Sequence, residues 1–91
     1  MRIREFEWDD GNEPHIELRH GVTTDEAEQV LAVRPLVRKT KRGHCTALGP
    51  TLASRLLTIV FEYKTRGLAR VITGWDMTSA ERRFYRRNTS P

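Results

Sequence analysis

The stretch Arg55–Trp75, "RLLTIVFEYKTRGLARVITGW", decides how the chain folds. In its first half Leu57, Ile59 and Phe61 alternate with Leu56 and Val60, so an extended segment here is apolar on both faces. A strand with one face in water alternates apolar with polar residues, whereas one that is apolar on both faces is covered on both. The segment therefore predicts a central strand. "KTRG" follows as turn chemistry, and "LARVITGW" resumes a β-branched pattern, so the two halves predict a hairpin.

Working outward from this hairpin, "LVRK" and "HCTALG" read as short strands joined by the basic turn "KTKRG". Further upstream, Thr23 and Glu26 have the spacing of a capping box, in which hydroxyl and carboxylate each satisfy an orphan amide. Ala27, Val30 and Leu31 follow at helical spacing, and Pro35 stops the pattern. Pro14 suits the first turn of an earlier helix through Arg19, with Gly21 in the usual place of a left-handed cap. "IREFEW" at Ile3–Trp8 alternates as an edge strand would, and "DDGN" turns the chain after it.

Downstream, Thr78 and Glu81 form a second capping box and open a last helix. Its Met77, Ala80 and Phe84 share a narrow arc and are expected to form its core face, with Arg82 and Arg86 opposite and Arg83 and Tyr85 on the flanks. The predicted order is β-α-α-β-β-β-β-α. This is an α+β fold: a small, mostly antiparallel sheet with helices packed on it.

Ninety-one residues give room for one domain, residues 1–91, with one small core. Hydrophobic residues at 37% and charged residues at 31% place the chain among globular rather than disordered proteins. No run approaches the roughly 20 apolar residues of a membrane span. "MRIREFEWDD" lacks the apolar region of a secretory signal, and Cys45, the only cysteine, has no partner for an internal disulfide. A cytoplasmic protein is expected.

The net charge of +4 is unevenly spread. Residues 1–33 hold three basic and nine acidic residues, a balance of −6, and residues 34–91 hold thirteen basic and three acidic, a balance of +10. A basic surface would attract a polyanion, most plausibly nucleic acid, provided that sequence halves are also spatial halves.

Several side chains are candidates for chemistry. Arg70, near the start of a strand, could clamp a phosphate bidentately or pair with Glu62 across the hairpin, and Arg55 has the same two options. Arg82 sits in the first turn of its helix, where the dipole disfavours a cation, which makes a structural use less favourable than for Arg86 and Arg87 in the last turn. His15, His20 and His44 with Cys45 show no zinc-site spacing, so no metal is expected. His20, just before Gly21, reads as part of a helix cap or as a general base. No glycine-rich phosphate loop, nucleophile elbow or carboxylate pair is present. RNA cleavage suits this inventory, because the 2′-hydroxyl is a nucleophile already beside the phosphate. The protein need only move protons and neutralise the phosphorane charge.

"FEWD" at Phe6–Asp9, "HGVTTDEAEQVL" at His20–Leu31, "LGPTLASRLLTIVFEY" and "RVITGWDMTSAERRFY" occur in the order of the BrnT family, which the chain resembles over about residues 6–87. These are small toxins of type II toxin–antitoxin systems, similar in fold to RelE-type ribonucleases. The resemblance implies a metal-independent endoribonuclease that inhibits translation and needs no cofactor. It further implies a BrnA-like ribbon-helix-helix antitoxin that masks the toxin and represses the shared operon, with oligomers formed through that partner. The family's basic positions fall on Arg55, Arg70 and Arg82, with His20 and Tyr85 in the matching motifs. His20, Arg70, Arg82 and Tyr85 are thus the expected catalytic set, and Arg55, Lys64, Arg66, Arg83 and Arg86 the expected RNA-binding set. Two departures stand out. Many members read "ISAR" where this chain has "ITGW", so that Trp75 replaces a usual arginine, and the first helix lacks the common "K…N" pattern. A catalytically inactive BrnT-like module that binds RNA or protein is the alternative.

Overall fold

The expected central strand is central: β4 (Leu56–Tyr63) is the third of five strands in a sheet ordered β1-β5-β4-β3-β2. The computed structural model describes residues 3–89. Arg2, counted above in the charge of the N-terminal third, lies outside the described residues. The strands are β1 (Glu5–Glu7), β2 (Leu36–Lys39), β3 (His44–Pro50), β4 and β5 (Leu68–Asp76), and the helices are α1 (Glu13–His20), α2 (Thr24–Ala32) and α3 (Ser79–Thr89). The order along the chain is the one expected. Strands β2 to β5 pair antiparallel, and β1 joins the edge of β5 in parallel, with Glu7 opposite Arg70.

One face of the sheet carries Cys45 and Ala47 from β3, Leu57, Ile59 and Phe61 from β4, and Ala69 and Val71 from β5, all buried. Ile16 of α1, Val22, and Ala27, Val30 and Leu31 of α2 close over them as one core. Gly74 makes this packing possible. A Cβ there would stand 2.7 Å from Ile59 Cδ1 and 3.2 Å from both Ile16 Cδ1 and the Thr58 carbonyl oxygen. The two helices are joined through Gly21, whose left-handed conformation (φ 64°) returns its amide to the Glu17 carbonyl. Thr23 and Glu26 form the expected capping box at the start of α2.

The opposite face, which carries Arg38, Thr46 and Val60, is covered by α3 lying against β2 and β3. Here the structure corrects the expected core face of α3. Met77 is buried, but it precedes the helix. Ala80 is exposed, and Phe84 is half-buried beneath the Arg38 guanidinium, 4.5 Å from the ring centroid. No residue of α3 is buried, and a cation–π contact of modest value is among the contacts that hold the helix on this face.

Both hairpin turns have the same form. In β2–β3 and in β4–β5 a three-residue turn ends in Arg-Gly with both residues left-handed: Arg42 (φ 66°) and Gly43 (φ 75°), then Arg66 (φ 62°) and Gly67 (φ 79°). Turns of this twist favour Asn-Gly, because asparagine enters the left-handed region more readily than most side chains do.

Candidate functional site

At the C-terminal end of β5 the chain passes from Trp75 through Asp76 and Met77 into α3. The capping box is present there: the Thr78 amide donates to Glu81 Oε1 at 2.8 Å, and the Glu81 amide to Thr78 Oγ1 at 3.1 Å. Glu81 has a second task, since it also accepts from the Trp75 indole Nε1 at 3.0 Å. The indole is thereby held in one orientation. The His20 ring lies 6.1 Å from it between centroids, and the His15 ring 5.9 Å from His20. His20 reaches this place because Gly21 ends α1 there, so one turn of backbone brings three aromatic rings together.

Arg55, at the start of β4, ties the same end together. Its Nε and Nη2 donate to the two Asp76 carboxylate oxygens at 2.8 and 3.0 Å. Its Nη1 donates to Glu26 Oε1 at 3.0 Å and to the Gly21 carbonyl at 2.9 Å. One guanidinium thus joins the cap of α1, the first turn of α2 and the ends of β4 and β5. The Asp76 carboxylate is the main reason the Arg55 guanidinium is held even more firmly protonated than usual. Burial works to raise the Glu26 carboxyl, but the Thr23 amide and Arg55 outweigh it and the net direction is down. Arg82, in the first turn of α3, is half-buried and donates from Nη1 to the Met77 carbonyl at 3.0 Å. A backbone acceptor at this point offsets the unfavourable helix dipole.

Arg70 has different partners from the one expected. Glu62 is its register neighbour, yet the guanidinium turns to β1, donating to Asp9 Oδ2 at 2.7 Å, to Asp9 Oδ1 at 3.0 Å and to Glu7 Oε1 at 3.0 Å. Lys64 also reaches Glu7, at 3.0 Å. Among the described residues the acidic first third and the basic remainder therefore meet at Arg55–Glu26, at Arg70 with Glu7 and Asp9, and at Lys64–Glu7. Part of the apparent polarity is thus neutralised by pairing of Glu7, Asp9 and Glu26 with Arg55, Lys64 and Arg70.

These pairs predict acid sensitivity. Arg70, then the Gly11 amide, holds the Asp9 carboxyl at about 2, and Lys64 followed by Arg70 holds Glu7 below its usual value. In an unfolded chain carboxyls titrate near about 4. A carboxyl whose pKa is lower folded than unfolded stabilises the fold above the unfolded value, and that contribution is lost as pH falls through the folded one. Stability should therefore fall between about pH 4 and pH 2. The urea midpoint of Asp9→Asn should drop less over that window than wild type, and an equal drop would contradict the assignment.

The remaining candidates are dispersed. Tyr85 is half-buried on α3, Arg83 and Arg86 are exposed on the same helix, and Arg66 caps the β4–β5 turn at the far end of the sheet. His20, Arg55 and Arg82 share one end with Trp75, while Arg70 and Lys64 lie along the β1 edge. Among the described residues no group of three or more His, Cys, Asp or Glu side chains could hold a metal ion, and no helix is long and apolar enough to cross a membrane.

The structure is similar to that of the Brucella abortus ribonuclease toxin BrnT, with a TM-score of 0.69 at 19% identity over 82% of this chain and 97% of that one. The fold is that of BrnT. The resemblance read from the motifs therefore holds at the level of the fold, a mostly antiparallel five-stranded sheet with three helices. No protein-family model matches the sequence, and no curated protein matches it. On this BrnT fold, sequence reasoning missed Glu7, Asp9, Glu26 and Asp76 as partners of the arginines. The Glu26 capping box and the position of Asp76 directly after Trp75 were visible signals. The parallel pairing that brings Glu7 to Arg70 left none.

Proposed function

We propose that the chain is a single-domain, cytoplasmic BrnT-like toxin: a metal-independent endoribonuclease that inhibits translation, masked by a BrnA-like ribbon-helix-helix antitoxin through which it oligomerises. The observation that carries this reading is the His20–Trp75 end of β5, with Arg82 beside it, on a fold shared with a ribonuclease toxin. In the proposed reaction His20 takes the proton of the RNA 2′-hydroxyl, whose oxygen attacks the adjacent phosphorus. The bond from phosphorus to the 5′-oxygen breaks, Tyr85 protonates that leaving oxygen, and a 2′,3′-cyclic phosphate remains. Arg82 neutralises the charge of the pentacoordinate state. Arg70, on the β1 edge five residues along β5 from Trp75, holds a phosphate further along the RNA by exchanging Asp9 for it, a bidentate acceptor of the same kind. Arg55, Lys64, Arg66, Arg83 and Arg86 contribute contacts to the RNA backbone.

The test is RNA cleavage by the purified protein beside Arg82→Ala and Arg70→Ala. Arg82→Ala should lower the rate by about 10²–10³-fold, the usual cost of one donor to a developing oxyanion. Intact RNA with wild type, and normal growth when the chain is expressed without an antitoxin, would overturn the reading. A second reading, an inactive module that binds RNA, is favoured by one observation: the Arg55 and Arg70 guanidinium groups already hold carboxylates. It predicts RNA affinity that falls steeply with salt and no cleavage.

A further inference from the structure

The end of the sheet remote from Trp75 carries Lys64 and Arg66, named above as backbone contacts, together with features that the proposed reaction does not use. The turns of β2–β3 and β4–β5 both project there, and they are staggered. His44, which closes the first turn, is level with Glu62, whereas Lys64 closes the second turn two residues further on. The β4–β5 hairpin therefore overhangs its neighbour by about 7 Å, and the turn centres lie about two strand spacings, or 10 Å, apart across the sheet. The step between them is a cleft of about 540 Å³. Lys39, Thr40, Gly43, His44, Cys45 and Tyr63 line it.

Arg42 and Arg66 belong to the two turns that make this step, and both are exposed and in the left-handed region. Asparagine or glycine would occupy either position at lower conformational cost. Two arginines at equivalent strained positions, in the turns beside a cleft lined by an aromatic ring and a lysine, have the composition of a single-strand binding surface. Cations follow the backbone and a ring stacks a base. Gly43, with open space where a Cβ would stand, leaves the mouth clear.

We propose that this step is a second RNA site, separate from the His20–Trp75 end, which takes one nucleotide of a single strand. Its base stacks on Tyr63 and its flanking phosphates meet Arg42 and Arg66. The proposal rests on the RNA-directed reading above and adds where the strand is held away from the bond that is cut.

The experiment uses the full chain and a short fluorescent 2′-O-methyl oligouridylate, which cannot be cleaved, followed by anisotropy over a range of salt. The double variant Arg42→Asn/Arg66→Asn, chosen to keep the turns, should bind about tenfold more weakly, and its salt slope should fall by about 1.4. Tyr63→Leu should weaken binding about tenfold and Tyr63→Phe should not. A control with the same change of charge elsewhere, Arg19→Ala/Arg34→Asn, should bind like wild type. Equal affinity in the double variant and the control would overturn the site, as would a wild type that binds no oligonucleotide. Wild type that binds as expected yet leaves unmodified RNA intact would uphold the site while the ribonuclease reading fails.

Discussion

Replacing His20 by alanine is expected to lower the rate of RNA cleavage by about 10²–10⁴-fold, the usual contribution of a positioned general base. Unfolding should be nearly unaffected, because the ring is half-buried at the end of α1 and the cap of that helix is made by Gly21. The cost should fall on the chemical step. With Trp75 held by Glu81 on one side and His15 on the other, the His20 ring has few orientations, and a defined orientation is what a base needs. Single-turnover cleavage measured from pH 5 to 9 is the appropriate test. Wild type should show a base-dependent limb in its pH–rate profile, and His20→Ala should lose that limb. A variant that cleaves as fast as wild type, with the same profile, would remove His20 from the mechanism.

The largest effect on stability is expected from Phe61→Ala. Phe61 is fully buried at the centre of β4, where it packs with β3, β5 and both helices of the covered face. Truncation of such a ring costs about 3–5 kcal/mol, combining lost transfer energy with the cavity left behind. A domain of this size has only about 5–15 kcal/mol in total, so the variant should lose a large share of its stability and its urea midpoint should fall steeply. Equilibrium urea unfolding followed by tryptophan fluorescence would measure it. A midpoint close to wild type would mean that the neighbours collapse into the space, which the surrounding sheet backbone resists.

Much of this architecture was legible in the sequence, for physical reasons that differ from element to element. Leu57, Ile59 and Phe61 on one face, with Leu56 and Val60 on the other, marked β4 as central because burial on both faces leaves a continuous apolar run. The capping boxes at Thr23–Glu26 and Thr78–Glu81 marked helix starts because their hydrogen bonds are local. The failures were non-local. A three-residue strand such as β1 has too few side chains to declare its partner, so its parallel pairing, and with it the partnership of Arg70 with Glu7 and Asp9, could not be read. In α3 the arc of Met77, Ala80 and Phe84 was a real amphipathic pattern. Periodicity gives the direction a face points and not how deeply it is covered, and here the cover is shallow. The candidate site followed the same division. His20 was singled out by its place before a helix-ending glycine, whereas the carboxylates around Arg55 and Arg70 came from segments distant in sequence.

The parallel pairing of β1 with β5 also bears on how the protein is made. Glu7 and Arg70 are separated by 63 residues, so the first strand has no partner until nearly all of the sheet has been synthesised. At about 5–20 residues per second, the interval between synthesis of the two is about 3–13 seconds. Throughout that time the nascent chain carries an unpaired acidic segment and an open sheet edge. A protein of this topology is completed only after its C-terminal hairpin has left the ribosome, so a truncated translation product would lack a closed fold.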